Sequence, residues 1–154
     1  MLKLARFFLI TLVAGTALAA GPAIAAESKP LVYQTEDNIA IRGYDPVAYF
    51  TDGAPVKGDP AYSTEYEGAT WIFASAANRD RFAADPTTYA PAYGGWCAYG
   101  MSQGGKVPID PDAWSIVDGT LYLNVNKKVQ GWWEADTADF IAKADAYWPE
   151  VKNQ

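Results

Sequence analysis

The chain has 154 residues, a formal net charge of −6, no histidine and a single cysteine, Cys97. It lacks the clustered Lys and Arg that phosphate contacts need, so its composition excludes an ordinary nucleic-acid-binding domain. The absence of histidine excludes His-assisted serine or cysteine nucleophiles, and a lone thiol forms neither an internal disulfide nor a zinc or iron–sulfur cysteine cluster.

The N-terminal residues have the order of a secretory signal peptide. Lys3 and Arg6 precede an uncharged, apolar or small stretch over residues 7–20, and a small-x-small pattern follows it. We therefore predict a signal peptide over residues 1–25, cleaved after Ala25, and a periplasmic or secreted location. No later apolar stretch reaches the ~20 residues of a membrane span, so we expect no stable span after cleavage. Alternative cleavage positions follow Ala19 and Ala26.

The first part of the remaining chain predicts little regular structure. Residues 26–38 are mostly polar and predict a flexible N-terminal segment, although residues 31–33 favour a short strand. Residues 38–43 predict a strand that leads into a glycine turn. The pair Asp45-Pro46 then suits the start of a helical turn, because Asp caps helices and Pro has the helical φ.

A first β-hairpin, with strands at 61–67 and 69–73, is predicted by the Glu-Gly pair between them and by the β-branched and aromatic residues of the second strand. Ser75 predicts the N-cap of a helix that runs to Ala84, because its hydroxyl accepts an N-terminal amide hydrogen bond. An Asp-Pro pair directly after this helix predicts a further short turn.

A second hairpin, with strands at 113–117 and 120–125, is predicted by the Asp-Gly pair between them, a strong two-residue turn signal. Residues 127–148 carry apolar side chains at helical spacing and predict a C-terminal helix. No repeat at the spacing of solenoid proteins is visible. The sequence therefore predicts a small single α+β domain, in which short antiparallel hairpins pack with helices and a helix ends the chain.

Residues 66–91 resemble the YHS domain. The shared pattern is an aromatic-x-Gly hairpin, an aromatic-x-Phe strand, a Ser-capped helix with a Phe, and an Asp-Pro-x-x-Tyr turn. Residues 43–50 resemble the Asp-Pro-Val opening of the same family. The resemblance divides the chain into a YHS-like core at 39–92 and an extension at 93–150 that packs on the core, similar to the extension of exported bacterial members.

The resemblance also bears on metal binding, a role often suspected for this family. Metal-binding members have three cysteines at positions where this chain has Ala48, Ala74 and Asn78. The packing and turn residues of the family are present, so the resemblance implies the α+β fold. The thiols of the family's metal site are absent.

Cys97 and Met101 lie in a stretch rich in glycine and aromatic residues, from Tyr93 to Gly105. If this stretch contains a helical turn, the spacing places both sulfurs on one face. Thiolate and thioether ligands suit Cu(I), so Cys97 and Met101 are candidate metal ligands, framed by Tyr93 and Tyr99, and copper is the candidate metal. Alternatively, Cys97 is a small buried residue and Met101 fills the core, or Cys97 forms an intermolecular disulfide.

Aromatic residues and carboxylates allow two further interpretations. The tryptophans and the ten tyrosines line a pocket for a planar ligand, or they fill a core that is poor in Leu and Ile. Of the neighbours Trp132 and Trp133, an exposed ring would indicate contact with a partner. Paired carboxylates support acid–base or calcium chemistry or, as at Asp110 and Asp112, form turns and caps.

We hypothesise a non-enzymatic, exported YHS-like binding domain for a small ligand, a soft metal ion at Cys97, or a periplasmic protein partner. The alternatives are a protein-interaction or structural module and an accessory redox protein in which Cys97 is a reactive thiol. A reactive thiol needs exposure and a lowered pKa. Without histidine, a lowered pKa requires a helix N-terminus or a cation such as Lys106.

Overall fold

The computed structural model describes residues 29–154, and the signal peptide predicted at 1–25 lies outside them. The described chain forms α1 (Ala48–Thr51), β1 (Asp59–Tyr66), β2 (Ala69–Phe73), α2 (Ala76–Ala84), α3 (Pro86–Tyr89), α4 (Ala98–Ser102), β3 (Asp110–Val117), β4 (Thr120–Asn124), α5 (Lys127–Glu134) and α6 (Thr137–Val151). Its strands pair as two separate antiparallel hairpins, β1–β2 and β3–β4. This arrangement confirms the predicted small α+β domain with a C-terminal helix.

The first hairpin turns where the sequence predicts it. Glu67 and Gly68 both have positive φ, 48° and 77°, a conformation that glycine adopts without steric cost. Along β1, Tyr62, Thr64 and Tyr66 are half-buried while the residues between them are exposed. This alternation is what a strand with one face on the core requires.

Residues 29–38 pack against the rest of the fold. Val32 is 1% exposed, and the Tyr33 N–H donates to the Gly94 carbonyl at 2.8 Å. The flexible segment predicted over 26–38 is therefore attached to the core in the part that the structure describes. The burial of Val32 and this long-range hydrogen bond hold the segment on the fold, although most of its residues are polar.

The two short strands predicted ahead of the first hairpin are not formed. Single bridges, such as Gln34 with Ala40, replace them. Regular pairing ends because residues 41–43 turn left-handed, with φ values of 39°, 61° and 76°. Consecutive left-handed residues redirect the chain away from the β conformation.

The residues predicted to be helical over 127–148 form two helices, α5 and α6, and the sequence pattern did not predict the break between them. Asp136 leaves the helical conformation, with φ −155° and ψ 70°, and its carboxylate accepts from the Asp139 N–H at 3.2 Å. The same aspartate therefore ends one helix and caps the next. The apolar periodicity continues across this break, which is why the sequence pattern does not show it.

The described chain repeats one order of elements. A left-handed turn, a short helix, a hairpin and two helices occur at residues 41–89, the first unit, and again at 93–151, the second unit. Both hairpins begin with Asp-Pro, at Asp59 and Asp110, and both shift register four residues later. Further equivalent positions, at the same separation along the chain, are Gly68 and Gly119, Ser75 and Asn126, and Asp85 and Asp136.

The turns that open the two units also match in conformation. Residues 93–95 have φ values of 56°, 62° and 80°, close to those of residues 41–43. Ile41 and Tyr93, which begin these turns, are both buried. Positive φ is uncommon for β-branched or bulky residues, so its occurrence at equivalent places shows that the units share one backbone plan.

Buried side chains form two clusters. The first includes Trp71, Phe73 and Phe82 of the first unit together with Cys97, and the second includes Met101 and Trp133. Most of the aromatic surplus therefore fills the core, as one of the two interpretations predicts. No helix within residues 29–154 is long and apolar enough to cross a membrane.

Candidate ligand site at Cys97

Cys97 is the N-cap residue of α4 and not a residue inside the helix. Its φ of −54° and ψ of 119° are non-helical, and its Sγ accepts from the Gly100 N–H at 3.4 Å. The thiol donates to Asn124 Oδ1 at 3.6 Å, and the Cys97 N–H donates to the Val107 carbonyl at 3.0 Å. The start of α4 and the end of β4 thus hold the sulfur in place together.

A surface pocket of about 270 Å³, here the Cys97 pocket, has Cys97 among its lining residues. Apolar side chains dominate its lining, with Tyr99, Val107, Val125 and Val129 around Cys97. Cys97 itself is only 1% exposed, so its neighbours cover it almost completely. An apolar wall with a single sulfur donor favours a soft, weakly hydrated ligand over a hard cation.

Burial raises the pKa of the Cys97 thiol above its ordinary value, although the backbone N–H groups of Gly100, Val125 and Tyr99 lower this pKa in part. The thiol is therefore protonated at neutral pH. Lys106 does not lower the pKa of the thiol, because its ammonium donates to main-chain carbonyls instead. The shortest of these hydrogen bonds, to the Lys29 carbonyl, is 2.9 Å. The exposure and lowered pKa expected of a reactive thiol are both missing.

Met101 lies one turn beyond Cys97, but its side chain packs elsewhere. Met101 is fully buried in the second cluster, whereas Cys97 belongs to the first. The expectation of a shared face assumed that both residues lie inside a helix, and the N-cap conformation of Cys97 does not meet that condition. Of the two tyrosines expected to frame the site, Tyr99 lines the pocket and Tyr93 belongs to the second cluster.

Asn124 contacts the sulfur, and the sequence analysis did not identify it. Its side chain is fully buried, and its Oδ1 accepts from the Tyr99 N–H at 3.1 Å as well as from the thiol. Within the described residues, Asn124 Nδ2 has no hydrogen-bond partner. A buried unpaired donor costs about 1–3 kcal/mol, and this one belongs to the residue that accepts from the Cys97 thiol.

The three positions where the family resemblance places cysteines converge on Asp45. This buried carboxylate accepts from the Ala48 N–H at 3.3 Å, the Ala74 N–H at 2.8 Å and Asn78 Nδ2 at 2.7 Å. A further bond comes from the Val47 N–H at 2.8 Å. These backbone N–H groups and the Asn78 amide donate hydrogen bonds and do not bind metal ions. Together they occupy both carboxylate oxygens of Asp45, so these residues do not fit the family's metal.

The carboxylates singled out in the sequence serve turns and caps. Asp110 Oδ1 accepts from the Asp112 N–H at 3.0 Å, and Glu65 accepts from the Thr70 hydroxyl at 2.6 Å. Within residues 29–154, no group of three or more Cys, Asp or Glu side chains is placed to hold a metal ion. The carboxylates therefore contribute local structure.

One ring of the Trp132-Trp133 pair is exposed, as the partner-contact interpretation requires. Trp132 is 49% exposed while Trp133 is fully buried. The Trp132 ring lies 6.0 Å from the Tyr99 ring, and the Lys128 ammonium lies 5.1 Å from its centre. An aromatic surface therefore adjoins the Cys97 pocket through Tyr99.

The comparisons with known proteins identify one domain. The family model of the YHS domain matches residues 47–93, so a YHS domain occupies most of the first unit. This confirms the family resemblance of that stretch. Comparison with curated proteins and comparison with solved structures each gave no match.

Proposed function

We propose that this chain is an exported binding domain of the YHS type that binds a soft metal ion, of the Cu(I) class, at the Cys97 pocket. The observation that carries the proposal is that Cys97, the one cysteine of the chain, lies in the lining of an apolar surface pocket. The YHS domain at 47–93 supports a metal-associated role. The ion is placed at Cys97 because the family's own positions surround Asp45 and hold no thiol.

The chemistry of the pocket favours a soft ion for three reasons. Cys97 supplies sulfur, the donor that Cu(I) prefers, and the lining contains no carboxylate for a hard ion such as Ca²⁺. The Gly100 N–H, which donates to the sulfur at 3.4 Å, stabilises negative charge on it. Binding removes the thiol proton, as happens when a thiol coordinates a metal ion.

A Cu(I) titration of the reduced protein against a competing chelator tests the proposal. We expect one ion per wild-type chain and at least a tenfold loss of affinity in Cys97→Ser. Met101→Leu separates the two candidate donors: unchanged affinity assigns the ion to Cys97 alone, and a loss adds the thioether. Equal affinity of wild type and Cys97→Ser would remove the proposal.

We also propose that the protein acts after export. The positive residues at the start, the uncharged stretch at 7–20 and the small residues before Ala26 support a cleaved signal peptide. The intact mass of protein recovered from the periplasm should correspond to a chain that begins at Ala26. A full-length chain confined to the cytosol would contradict export.

A second candidate function, recognition of a periplasmic protein partner, is favoured by the exposed ring of Trp132. Exposed tryptophans beside other aromatic side chains are typical of interaction hot spots. A photo-crosslinking residue at position 132 should give one discrete adduct in cells, whereas the same residue at Glu150, exposed on α6, should give none. Identical adduct patterns at both positions would argue against this surface.

A further inference from the structure

Another surface pocket, of about 320 Å³, lies beside the left-handed turn of the first unit and is called the Arg42 pocket here. Its lining contains two cations, Arg42 and Lys57, and one carboxylate, Asp37. Apolar side chains, among them Ile39 and Ile72, complete the wall. The volume is at the lower end of the range of small-molecule sites, and no lining residue is shared with the pocket of the proposed function.

Arg42 has a backbone conformation that glycine normally adopts. Its φ of 61° and ψ of 23° are left-handed, and the residue at the same place in the second unit, with φ 62° and ψ 21°, is Gly94. A side chain in this conformation costs free energy. Ile41 and Tyr93, also left-handed, are buried in the core, but Arg42 is exposed, so packing does not offset its cost. Strained residues of this kind cluster at ligand sites.

The two cations of the pocket have no carboxylate partner in the part of the chain that the structure describes. The ion pairs found there join residues within α2 and within α6, and neither pair includes Arg42 or Lys57. With Asp37 counted, the lining has a formal charge of +1, in a chain whose net charge is −6. A positively charged pocket on an acidic protein attracts an anion, and a charge of +1 matches a monoanion.

The Lys57 ammonium lies beside the apolar part of the pocket. It donates to the Arg42 carbonyl at 2.7 Å, which fixes its position. A Cβ built on Gly43 would lie 3.6 Å from Lys57 Nζ. The same Cβ would lie 3.5 Å from Ile39 Cγ2 and 3.6 Å from Ile72 Cδ1. All of these residues belong to the lining, so positive charge and apolar surface meet at Gly43.

We infer that the Arg42 pocket binds a small organic monoanion, a carboxylate with a short apolar tail. Arg42 and Lys57 bind the carboxylate, because a guanidinium and an ammonium donate charge-assisted hydrogen bonds to it. Ile39 and Ile72 contact the tail. A hydrated dianion such as inorganic phosphate fits less well, since it would leave the isoleucines uncovered and would be repelled by Asp37. The site is independent of the proposed metal site, so either can fail without the other.

Titration with hexanoate, monitored by ¹H–¹⁵N NMR, tests this inference. Hexanoate should shift the amide resonances of Gly43 and Gly58, both in the lining, in a saturable manner. Hexanol keeps the tail without the charge, and inorganic phosphate keeps a charge without the tail, so each should bind roughly tenfold more weakly or worse. The absence of a saturable shift with hexanoate, or equal affinity for either control compound, would overturn the proposed ligand class.

The variant Arg42→Gly separates ligand binding from stability. Glycine relieves the left-handed strain, so the urea midpoint should rise, while the loss of the guanidinium should weaken hexanoate binding roughly tenfold. Arg42→Gln keeps the strain and should bind as weakly without the rise. Arg81→Gln, at an exposed arginine of α2, should keep the wild-type affinity. Unchanged affinity in Arg42→Gly would remove Arg42 from the site, and a lowered midpoint would contradict the argument from strain.

A methyl group at Gly43 tests where the ligand lies. Gly43→Ala places its Cβ at ordinary contact distances from Lys57, Ile39 and Ile72, so it should occupy the pocket without a clash and weaken hexanoate binding roughly tenfold. Gly53→Ala is the matched control for backbone strain, because Gly53 also has a positive φ, 64° against 76°, and nothing within 4 Å of its added Cβ. Equal hexanoate affinity in the two variants would contradict binding beside Gly43.

Discussion

Asp45 is the residue through which the first unit holds its parts together. Its carboxylate joins the start of α1, the end of β2 and the side chain of Asn78 in α2. Hydrogen bonds to an ionised acceptor are about twice as strong as neutral ones. Cys97 has the same place in the second unit but makes weaker bonds, because sulfur is a poor acceptor.

Removal of the Asp45 carboxylate should destabilise the protein strongly. Asp45→Ala leaves three buried N–H groups and the Asn78 amide without their acceptor, so we expect a loss of about 3–5 kcal/mol in the free energy of unfolding. Urea denaturation measures the loss. The control Asp80→Ala breaks the exposed pair with Arg79, whose atoms lie 2.8 Å apart, and should cost less than about 1 kcal/mol.

At the scale of elements, local residue patterns predict some structure and miss what depends on distant parts of the chain. Both hairpin turns are predicted correctly, since a Glu-Gly or Asp-Gly pair encodes the positive φ values locally. The contact between Cys97 and Asn124 could not be predicted, because it depends on how α4 packs on β4. The equivalence of the two units has a sequence signal that periodicity does not detect: Asp-Pro, x-Gly and capping residues recur at one separation.

The turn at 93–95 attaches the N-terminal segment, so a side chain there should release it. The Gly94 carbonyl accepts from the Tyr33 N–H, and a Cβ on Gly94 would overlap the Leu31 carbonyl oxygen. We expect Gly94→Ala to increase hydrogen exchange across residues 29–33. Gly53→Ala is the matched control, because Gly53 has nearly the same positive φ, 64° against 62°, and nothing within 4 Å of its added Cβ.

Comparison of the two variants separates backbone strain from the clash. Both place alanine at positive φ and should cost about 1 kcal/mol for that reason. Only Gly94→Ala should change exchange at 29–33. Equal exchange in the two variants would show that the segment does not depend on this turn.

At the scale of the whole molecule, buried acids of high pKa determine the response to alkaline pH. Burial raises the pKa of Tyr49 and of Tyr93 above the ordinary value of 10.0, and that of Cys97 above 9.0. The folded protein therefore keeps protons that the unfolded chain releases in this range. Stability from these groups is complete below pH 9 and is lost as the pH rises. The pKa values of Tyr66 and Tyr122 are raised as well, whereas the lowered pKa of Lys106 acts in the opposite direction.

The free energy of unfolding should therefore fall as pH rises from 9 to 11, with a limiting slope of about 1.4 kcal/mol per pH unit for each proton retained. Urea denaturation at a series of pH values measures this slope. Tyr49→Phe should reduce it, because that variant removes one of the retained protons. Tyr147→Phe, which alters a ring that is 46% exposed, is the control for loss of a hydroxyl, and a flat profile for wild type would contradict the expectation.

The two units differ in what surrounds Asp45 and Cys97. The Asp45 carboxylate accepts four hydrogen bonds inside the first unit, whereas Cys97 lies in the lining of a surface pocket of the second unit. The proposed soft-metal ligand, Cys97, lies beyond the residues 47–93 that the family model matches.

Native mass spectrometry of the reduced protein with one equivalent of Cu(I) tests this account most directly. We predict that wild type gains the mass of one copper less one proton, and that Cys97→Ser under the same conditions gains none. The missing proton reports the thiolate, and the comparison with Cys97→Ser reports the ligand. The account would be contradicted if wild type stayed free of copper, or if both proteins carried the same number of ions.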